Sequence, residues 1–209
     1  MGGVSKPNIK LLGVTLFEYV LCAFSDSVID EIVVVCSTDN IDSLKELAKN
    51  TSKPISFVLG GKVRAESVSN GINACQDADI ICVHDCARPF ITAEIINETV
   101  SAAMEYGASC VCAPVIDTVK YKDPVTGVVS TPNRDDLFAV QTPQCFKKEH
   151  YLRAKAKSGE MLNSFTDETS LLEYGGIEVK YIPYNKTNMK LTATDDVPIA
   201  EIIMKQRME

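Results

Sequence analysis

The run Asp79-Ile80-Ile81-Cys82-Val83-His84-Asp85-Cys86-Ala87-Arg88-Pro89 constrains the fold more than any other stretch. An unbroken apolar run cut off by His-Asp and then Arg-Pro reads as a strand buried on both faces, whose carboxyl end delivers polar groups to a crevice. Open α/β sheets hold their ligands at such ends. Asp85 and Arg88 suit a phosphate-bearing substrate there, the carboxylate holding a divalent cation and the guanidinium forking onto phosphate oxygens. The same two side chains can instead pair with each other and close the strand. Pro89 forces a turn in either case.

On both sides of this strand the chain alternates between strand and helix patterns. Thr15 can cap a helix with Leu16, Tyr19, Val20 and Ala23 on one face. Glu31 to Cys36 is a β-branched strand, Asp39/Asn40 open a helix with Ile41, Leu44, Leu47 and Ala48 inward, and Ile55 to Leu59 is the next strand. Gly60-Gly61 then turns into a helix striped by Val68, Ile72 and Cys75. That glycine pair is either an anion site built on free N–H groups or a plain strand-to-helix turn with a solvated face. A helix from about Thr92 to Tyr106 and a buried strand from Ser109 to Pro114 follow the central strand.

Helices of this length suit parallel crossovers, so the expected fold is a doubly wound α/β sheet. Residues 115–141 break the rhythm. Val115 to Lys122 and Gly127 to Ser130 read as two ribbons joined by Asp123-Pro124-Val125-Thr126-Gly127. A two-stranded ribbon is hardly stable alone in water, so it should lie against something, and a second subunit is the natural candidate. Gln141-Thr142-Pro143-Gln144 leads back to the core. A helix from Lys148 to Lys157, a capped helix start at Thr166-Asp167-Glu168-Thr169 with its stop at Gly175-Gly176, a strand from Val179 to Pro183 and a closing helix after Asp195 complete the chain.

With 209 residues and no linker, repeat or low-complexity tract, residues 1–209 form a single domain. The net charge of −7, with no Lys/Arg block outweighing 28 carboxylates, argues against nucleic acid and anionic membrane as partners. No run approaches the roughly 20 apolar residues of a membrane helix, and the start carries no basic-then-apolar leader, so a cytoplasmic protein is expected. Of eight cysteines, Cys36, Cys82, Cys110 and Cys112 lie in strand-like apolar runs with no Cys-x-x-Cys or His cluster; they read as reduced core residues rather than disulfide or zinc partners.

Seven islands then match one pattern in order: Gly60-Gly61-x-x-Arg64-x-x-Ser67-Val68-x-x-Gly71, His84-Asp85-x-Ala87-Arg88-Pro89, Ala113-Pro114-Val115-x-Asp117-Thr118-x-Lys120, Asn133-Arg134, Gln141-Thr142-Pro143-Gln144, Thr166-Asp167-Glu168 and Asn188-x-Lys190-x-Thr192. Over essentially its whole length the chain resembles the 2-C-methyl-D-erythritol 4-phosphate cytidylyltransferases. The resemblance implies a Rossmann-like nucleotidyltransferase sheet with a protruding β-ribbon arm. It also implies transfer of CMP from CTP to a polyol phosphate, with release of pyrophosphate, in non-mevalonate isoprenoid precursor synthesis. Such a reaction asks for alignment and charge neutralisation more than covalent chemistry, so cations and Mg²⁺ are the expected tools. Ribitol 5-phosphate cytidylyltransferases resemble the chain across the same motifs. A homologue that binds nucleotide with little turnover is the alternative of a different class.

The resemblance further implies that Asp85 lies near the metal and the nucleotide phosphates, with Gly61, Lys62 and Ser67 around cytidine. Arg134 and Lys190 would position the acceptor phosphate for attack, and Thr118, Thr142, Thr166 and Arg88 would supply the remaining acceptor contacts. The arm at 115–141 would cross to the partner of a homodimer, so that Thr118 and Arg134 act in the neighbouring active site. His84 reads as a hydrogen-bonded structural histidine, because the attacking phosphate is already anionic and needs no base.

The family opens with a buried strand and a glycine-rich loop ending in Arg-Met-Gly, and Met1-Gly2-Gly3 resembles the end of that loop. Either the sequence is a piece of a longer chain or it is a degenerate homologue with weak or absent turnover; equal full activity with and without an upstream extension would refute the second. Lys6, seven residues before Gly13, best matches the family's transition-state lysine, and Lys10 stays open as the alternative.

Overall fold

A computed structural model describes residues 6–184 and 187–208. Met1-Gly2-Gly3 therefore lies outside the described residues. A single helical turn at Lys6–Asn8 precedes the strand pair β1 (Lys10–Leu11) and β2 (Val14–Thr15). Helix α1 (Leu16–Ser25) starts at Thr15, whose hydroxyl accepts from the Glu18 amide while the Glu18 carboxylate accepts from the Thr15 amide. This reciprocal cap is worth about 1 kcal/mol. The buried face of α1 is Leu16, Phe17, Leu21 and Phe24, rotated from the expected stripe because Tyr19, Val20 and Ala23 only flank it.

β3 (Ile32–Cys36), α2 (Ile41–Leu47), β4 (Ile55–Leu59), α3 (Arg64–Ala74), β5 (Ile80–Val83), α4 (Ala93–Tyr106) and β6 (Ala108–Pro114) follow in the expected order. In 115–141 the ribbons shrink to β7 (Tyr121–Lys122) and β8 (Val129–Ser130), paired antiparallel beside the 123–127 turn. β9 (Phe138–Lys147), α5 (Lys148–Ser158), α6 (Glu168–Tyr174), β10 (Lys180–Pro183) and α7 (Asp196–Met208) complete the described chain.

The ten-residue β9 is the element that sequence patterning does not show. Gln141, Thr142 and Gln144 argue against a core strand, and Pro143 cannot donate to a ladder. Yet Gln141 to Phe146 are all buried, and β9 pairs antiparallel with both β5 and β6. The sheet order is β10-β6-β9-β5, with β10 parallel to β6. A register shift between Cys110 and Cys112 accommodates the irregular stretch. What the sequence read as a connection is thus the centre of the sheet, which combines parallel and antiparallel pairing.

Among the described residues, β3 pairs with β4 alone and β5 with β9 alone. A cavity of about 1040 Å³ lies between them, walled by Ile32 to Val35, by Ile80 to Val83 and by Phe24 of α1, with Arg64 and Asp85 at its rim.

Buried Gln144 holds the start of α6. Its Oε1 accepts from the amides of Glu168 (3.1 Å) and Thr169 (3.2 Å), and its Nε2 donates to Asp167 Oδ2 (2.9 Å) and to the Gln141 carbonyl. The N-cap is Asp167, whose side chain accepts from the Ser170 amide. Replacing Gln144 with leucine strands two buried amides. Urea unfolding of Q144L should show a loss of about 3 kcal/mol, and a loss below about 1 kcal/mol would contradict this account.

Candidate active site

The site forms where β5 opens. The Asp85 carboxylate accepts a hydrogen bond from Lys190 Nζ at 2.6 Å, while Arg64 Nη2 stands 4.0 Å from its other oxygen. Asp85 and Arg88 do not pair with each other. Arg88 Nη1 donates to the Asn188 carbonyl at 2.9 Å, and its buried Nε has no hydrogen-bond partner among the described residues. Burial pushes the Asp85 carboxyl up, but the Lys190 bond and the nearby Arg64 charge outweigh it and hold the group below the usual carboxylate range.

Lys190 is brought there from 105 residues away by backbone and core contacts on either side of it. The Leu191 amide donates to the Ala87 carbonyl at 2.8 Å, and Leu191 packs fully buried with Leu11, Leu16, Phe90, Ala200 and Met204. Buried Asn188 donates through Nδ2 to Gln141 Oε1 (2.9 Å) and to the Thr142 carbonyl (3.1 Å). The 188–191 segment is thus stitched to both the β5 turn and the centre of β9.

Thr142 and His84 form the floor. The Asp85 amide donates to Thr142 Oγ1 (3.1 Å), and Thr142 Oγ1 lies 3.0 Å from His84 Nδ1. His84 Nε2 lies 3.1 Å from the Arg88 carbonyl. A carbonyl can only accept, so Nε2 carries the proton and Nδ1 accepts from the threonine hydroxyl. Burial lowers the His84 pKa to about 4. The imidazole is therefore neutral and structural, and its chain of hydrogen bonds fixes the backbone at Asp85 and Arg88.

At the ends of β3 and β4, Gly60, Gly61 and Ser67 line a second hollow of about 350 Å³ with Val35, Cys36, Ser37 and Asn40. Added Cβ atoms would sit 2.3 Å from Glu66 at Gly61 and 2.9 Å from Ser67 Oγ at Gly60, so the loop can lie this close to α3 only as glycine. The Gly61 amide donates to Ser67 Oγ (3.0 Å) and the Lys62 amide to Glu66 Oε2 (2.8 Å). An anion cradle of free amides is thus replaced by a turn whose donors are already used within its own helix start.

Other expected residues lie apart in the described contacts. Arg134 is exposed, and its Nη1 donates to the Ile116 carbonyl within the arm at 2.9 Å. Thr118 and Thr166 are exposed. Lys6 is exposed, and its charge contributes to lowering the pKa of Asp196, whose carboxylate accepts from the amides of Thr192 and Ala193. Lys10 instead neighbours Glu18 of α1. Arg64, Glu168, Gln144 and Asn188 lie inside motifs singled out in the sequence, yet their partners are far along the chain and no local signal reveals them.

The sequence profile of the family described as 2-C-methyl-D-erythritol 4-phosphate cytidylyltransferase matches residues 1–206. The chain belongs to this family. The family's reaction is CTP-dependent cytidylyl transfer in isoprenoid precursor synthesis. Among 2-C-methyl-D-erythritol 4-phosphate cytidylyltransferases, the chain is 35% identical over 207 residues to that of Clostridium botulinum (strain Langeland), covering 97% of this chain and 90% of the relative. It is 38% identical over 206 residues to that of Clostridium novyi, covering 97% and 89%. The solved 4-diphosphocytidyl-2C-methyl-D-erythritol synthase of Anaerococcus prevotii superposes with a TM-score of 0.88 at 28% identity, covering 95% of this chain and 93% of that one. The 2-C-methyl-D-erythritol 4-phosphate cytidylyltransferase of Thermus thermophilus superposes at 0.79 with 26% identity, covering 96% and 93%. No helix of the described residues is long and apolar enough to cross a membrane.

Proposed function

We propose that this cytidylyltransferase-family chain joins CMP from CTP to the phosphate of 2-C-methyl-D-erythritol 4-phosphate, releasing pyrophosphate, as a cytoplasmic homodimer. The observation that carries this reading is the contact between Lys190 and Asp85 at the tip of β5, flanked by Thr142 and by Arg88 with a buried, unpartnered Nε. An oxygen of the acceptor phosphate attacks the α-phosphorus of CTP, and the bond to pyrophosphate breaks. Lys190 and Arg88 draw the acceptor phosphate in, Thr142 supports the turn beneath it and Thr166 contacts the acceptor. Gly61, Lys62 and Ser67 hold cytidine, and Lys6 neutralises charge on the triphosphate.

Asp85 fits a divalent cation of the Mg²⁺ type, which takes one or two carboxylates and completes its shell with substrate phosphates and water. Among the described residues no group of three or more acidic, histidine or cysteine side chains gathers around it. Mg²⁺, when bound, supplies charge neutralisation on the phosphates.

The arm at 115–141 is the dimer contact in this reading. Val125 is 91% exposed, and Ile116, Tyr121, Val128 and Val129 are each more than half exposed, an apolar surface that one protomer leaves in water. Crossing to the partner, it carries Arg134 and Thr118 to that subunit's acceptor.

Pyrophosphate release from CTP and Mg²⁺ with 2-C-methyl-D-erythritol 4-phosphate tests the reaction, with ribitol 5-phosphate as the competing acceptor. Turnover of ribitol 5-phosphate alone would overturn the acceptor, and CTP binding without pyrophosphate release would make this a non-catalytic nucleotide-binding protein. The dimer is tested by mixing two inactive variants. R134A and K190A, unfolded and refolded together, should regain about a quarter of wild-type activity, since half the dimers are mixed and each mixed dimer has one intact site. No recovery would mean that Arg134 does not serve the partner.

A further inference from the structure

The two halves of the site stand on different groups of strands among the described residues. The cytidine-side loop 60–67 follows β4, which pairs with β3, whereas Asp85, Thr142 and the start of α6 belong with the four-stranded group. Side-chain contacts tie α3 to the four-stranded side along its length. Towards the far end of α3, Lys148 Nζ donates to the carbonyls of Cys75 and Gln76. In the middle, the Ser69 and Tyr151 hydroxyls meet at 2.9 Å. At the site itself, Arg64 forks onto Glu168, Nη1 to Oε1 at 2.6 Å and Nη2 to Oε2 at 2.8 Å, across 104 residues of sequence.

This fork is placed to set a distance rather than to add stability. Glu168 is only 4% exposed, and taking its charge out of water offsets most of the attraction that the pair gains. Both ends are anchored independently of the fork. Arg64 opens α3 three residues before Ser67, and the Glu168 backbone is fixed by Gln144 from the centre of β9. Two parallel hydrogen bonds between planar groups hold direction as well as separation. The guanidinium is thereby also held 4.0 Å from Asp85.

We propose that Arg64 and Glu168 form a positioning bridge that fixes the cytidine-side loop 60–67 against Asp85 and the acceptor contacts at the start of α6. The consequence for catalysis rests on the function proposed above. Each half keeps its own ligand, but the attacking oxygen and the phosphorus lose alignment when the bridge is cut, and a misplacement near 1 Å costs about a hundredfold in rate.

Glu168→Gln and Arg64→Lys test the bridge, each keeping bulk and some hydrogen bonding while losing the charged fork. With folding verified by thermal unfolding, calorimetric affinities for CTP and for the polyol phosphate, each measured alone, should stay within about threefold of wild type. The kcat should fall about thirty- to a hundredfold in E168Q, with KM little changed. R64K, which retains the charge, should fall less. Hydrogen exchange in the substrate-free protein should quicken at 61–67 in E168Q and stay unchanged across 138–147.

Unchanged exchange at 61–67 overturns the bridge whatever the activity does. So does a kcat within threefold of wild type in folded E168Q, or a loss of CTP affinity as large as the loss of kcat/KM, which would make Arg64 a direct nucleotide contact. A wild-type chain that turns over no CTP would refute the proposed function, while the exchange measurement would still decide the bridge.

Discussion

Replacing Lys190 with alanine lowers kcat by about a thousandfold and leaves the fold intact. Two phosphate esters must meet for the reaction, and each positioned cation at such a site is worth about a hundred- to a thousandfold in rate. Lys190 is placed by contacts that alanine retains, namely the Leu191 amide on the Ala87 carbonyl and the buried Leu191 side chain. Its own contact is with Asp85, and the pair is partly exposed, with 41% of the lysine side chain and 22% of the aspartate accessible. Such a pair contributes about 0–1 kcal/mol to stability. The expected signature is therefore a large kinetic loss with a small shift in unfolding midpoint. K190R should recover part of the rate, since it restores the charge but not the compact ammonium. A K190A enzyme with kcat within tenfold of wild type would remove Lys190 from the reaction.

Stability falls by about 3 kcal/mol as the pH drops from 6.5 to 4, through His84. The buried folded-state imidazole takes up its proton only near pH 4, against 6.5 for the free side chain. Between these values the unfolded chain holds more protons than the folded one, so acid favours unfolding across this window. The contribution is complete above pH 6.5 and gone below pH 4. Protonation puts a second hydrogen on a ring whose Nδ1 accepts from Thr142, in a setting walled by the Phe24 ring at 5.5 Å. Asp85 and Arg88 are the charged neighbours, and their effects on the imidazolium oppose each other. Asp85, held below its ordinary range, adds its own loss only at lower pH. Urea midpoints measured between pH 7 and pH 4 check the effect, and H84Q should flatten the slope across this window. An unchanged slope in H84Q would place the acid sensitivity elsewhere.

The alternation of strands and helices from Ile32 to Pro114 was legible because each element carries its own period and its own stop signal. Thr15, read as a cap, does start α1. Ile55 to Leu59 is a strand in the structure as in the pattern. β9 was not legible, because its polar residues are buried against partners from elsewhere. Gln144 serves α6, and Gln141 and Thr142 serve Asn188. Local composition reads such residues as a loop. The start of α6, by contrast, was legible as a capped start in Thr166-Asp167-Glu168-Thr169, and Asp167 is the cap.

At the site, the sequence by itself determined which groups are present and where they cluster along the chain: a carboxylate at the end of an apolar strand, a glycine pair before a helix, and cations in the motifs that follow. Those facts need only the side-chain inventory and the rule that a buried strand delivers its polar residues where it opens. The tertiary structure alone decided which charge meets which. Asp85 pairs with Lys190 rather than Arg88, and Arg64 reaches Glu168, over separations of about a hundred residues. Electrostatic partnership depends on distance in space and on burial, and neither is written in sequence spacing once a chain folds back on itself.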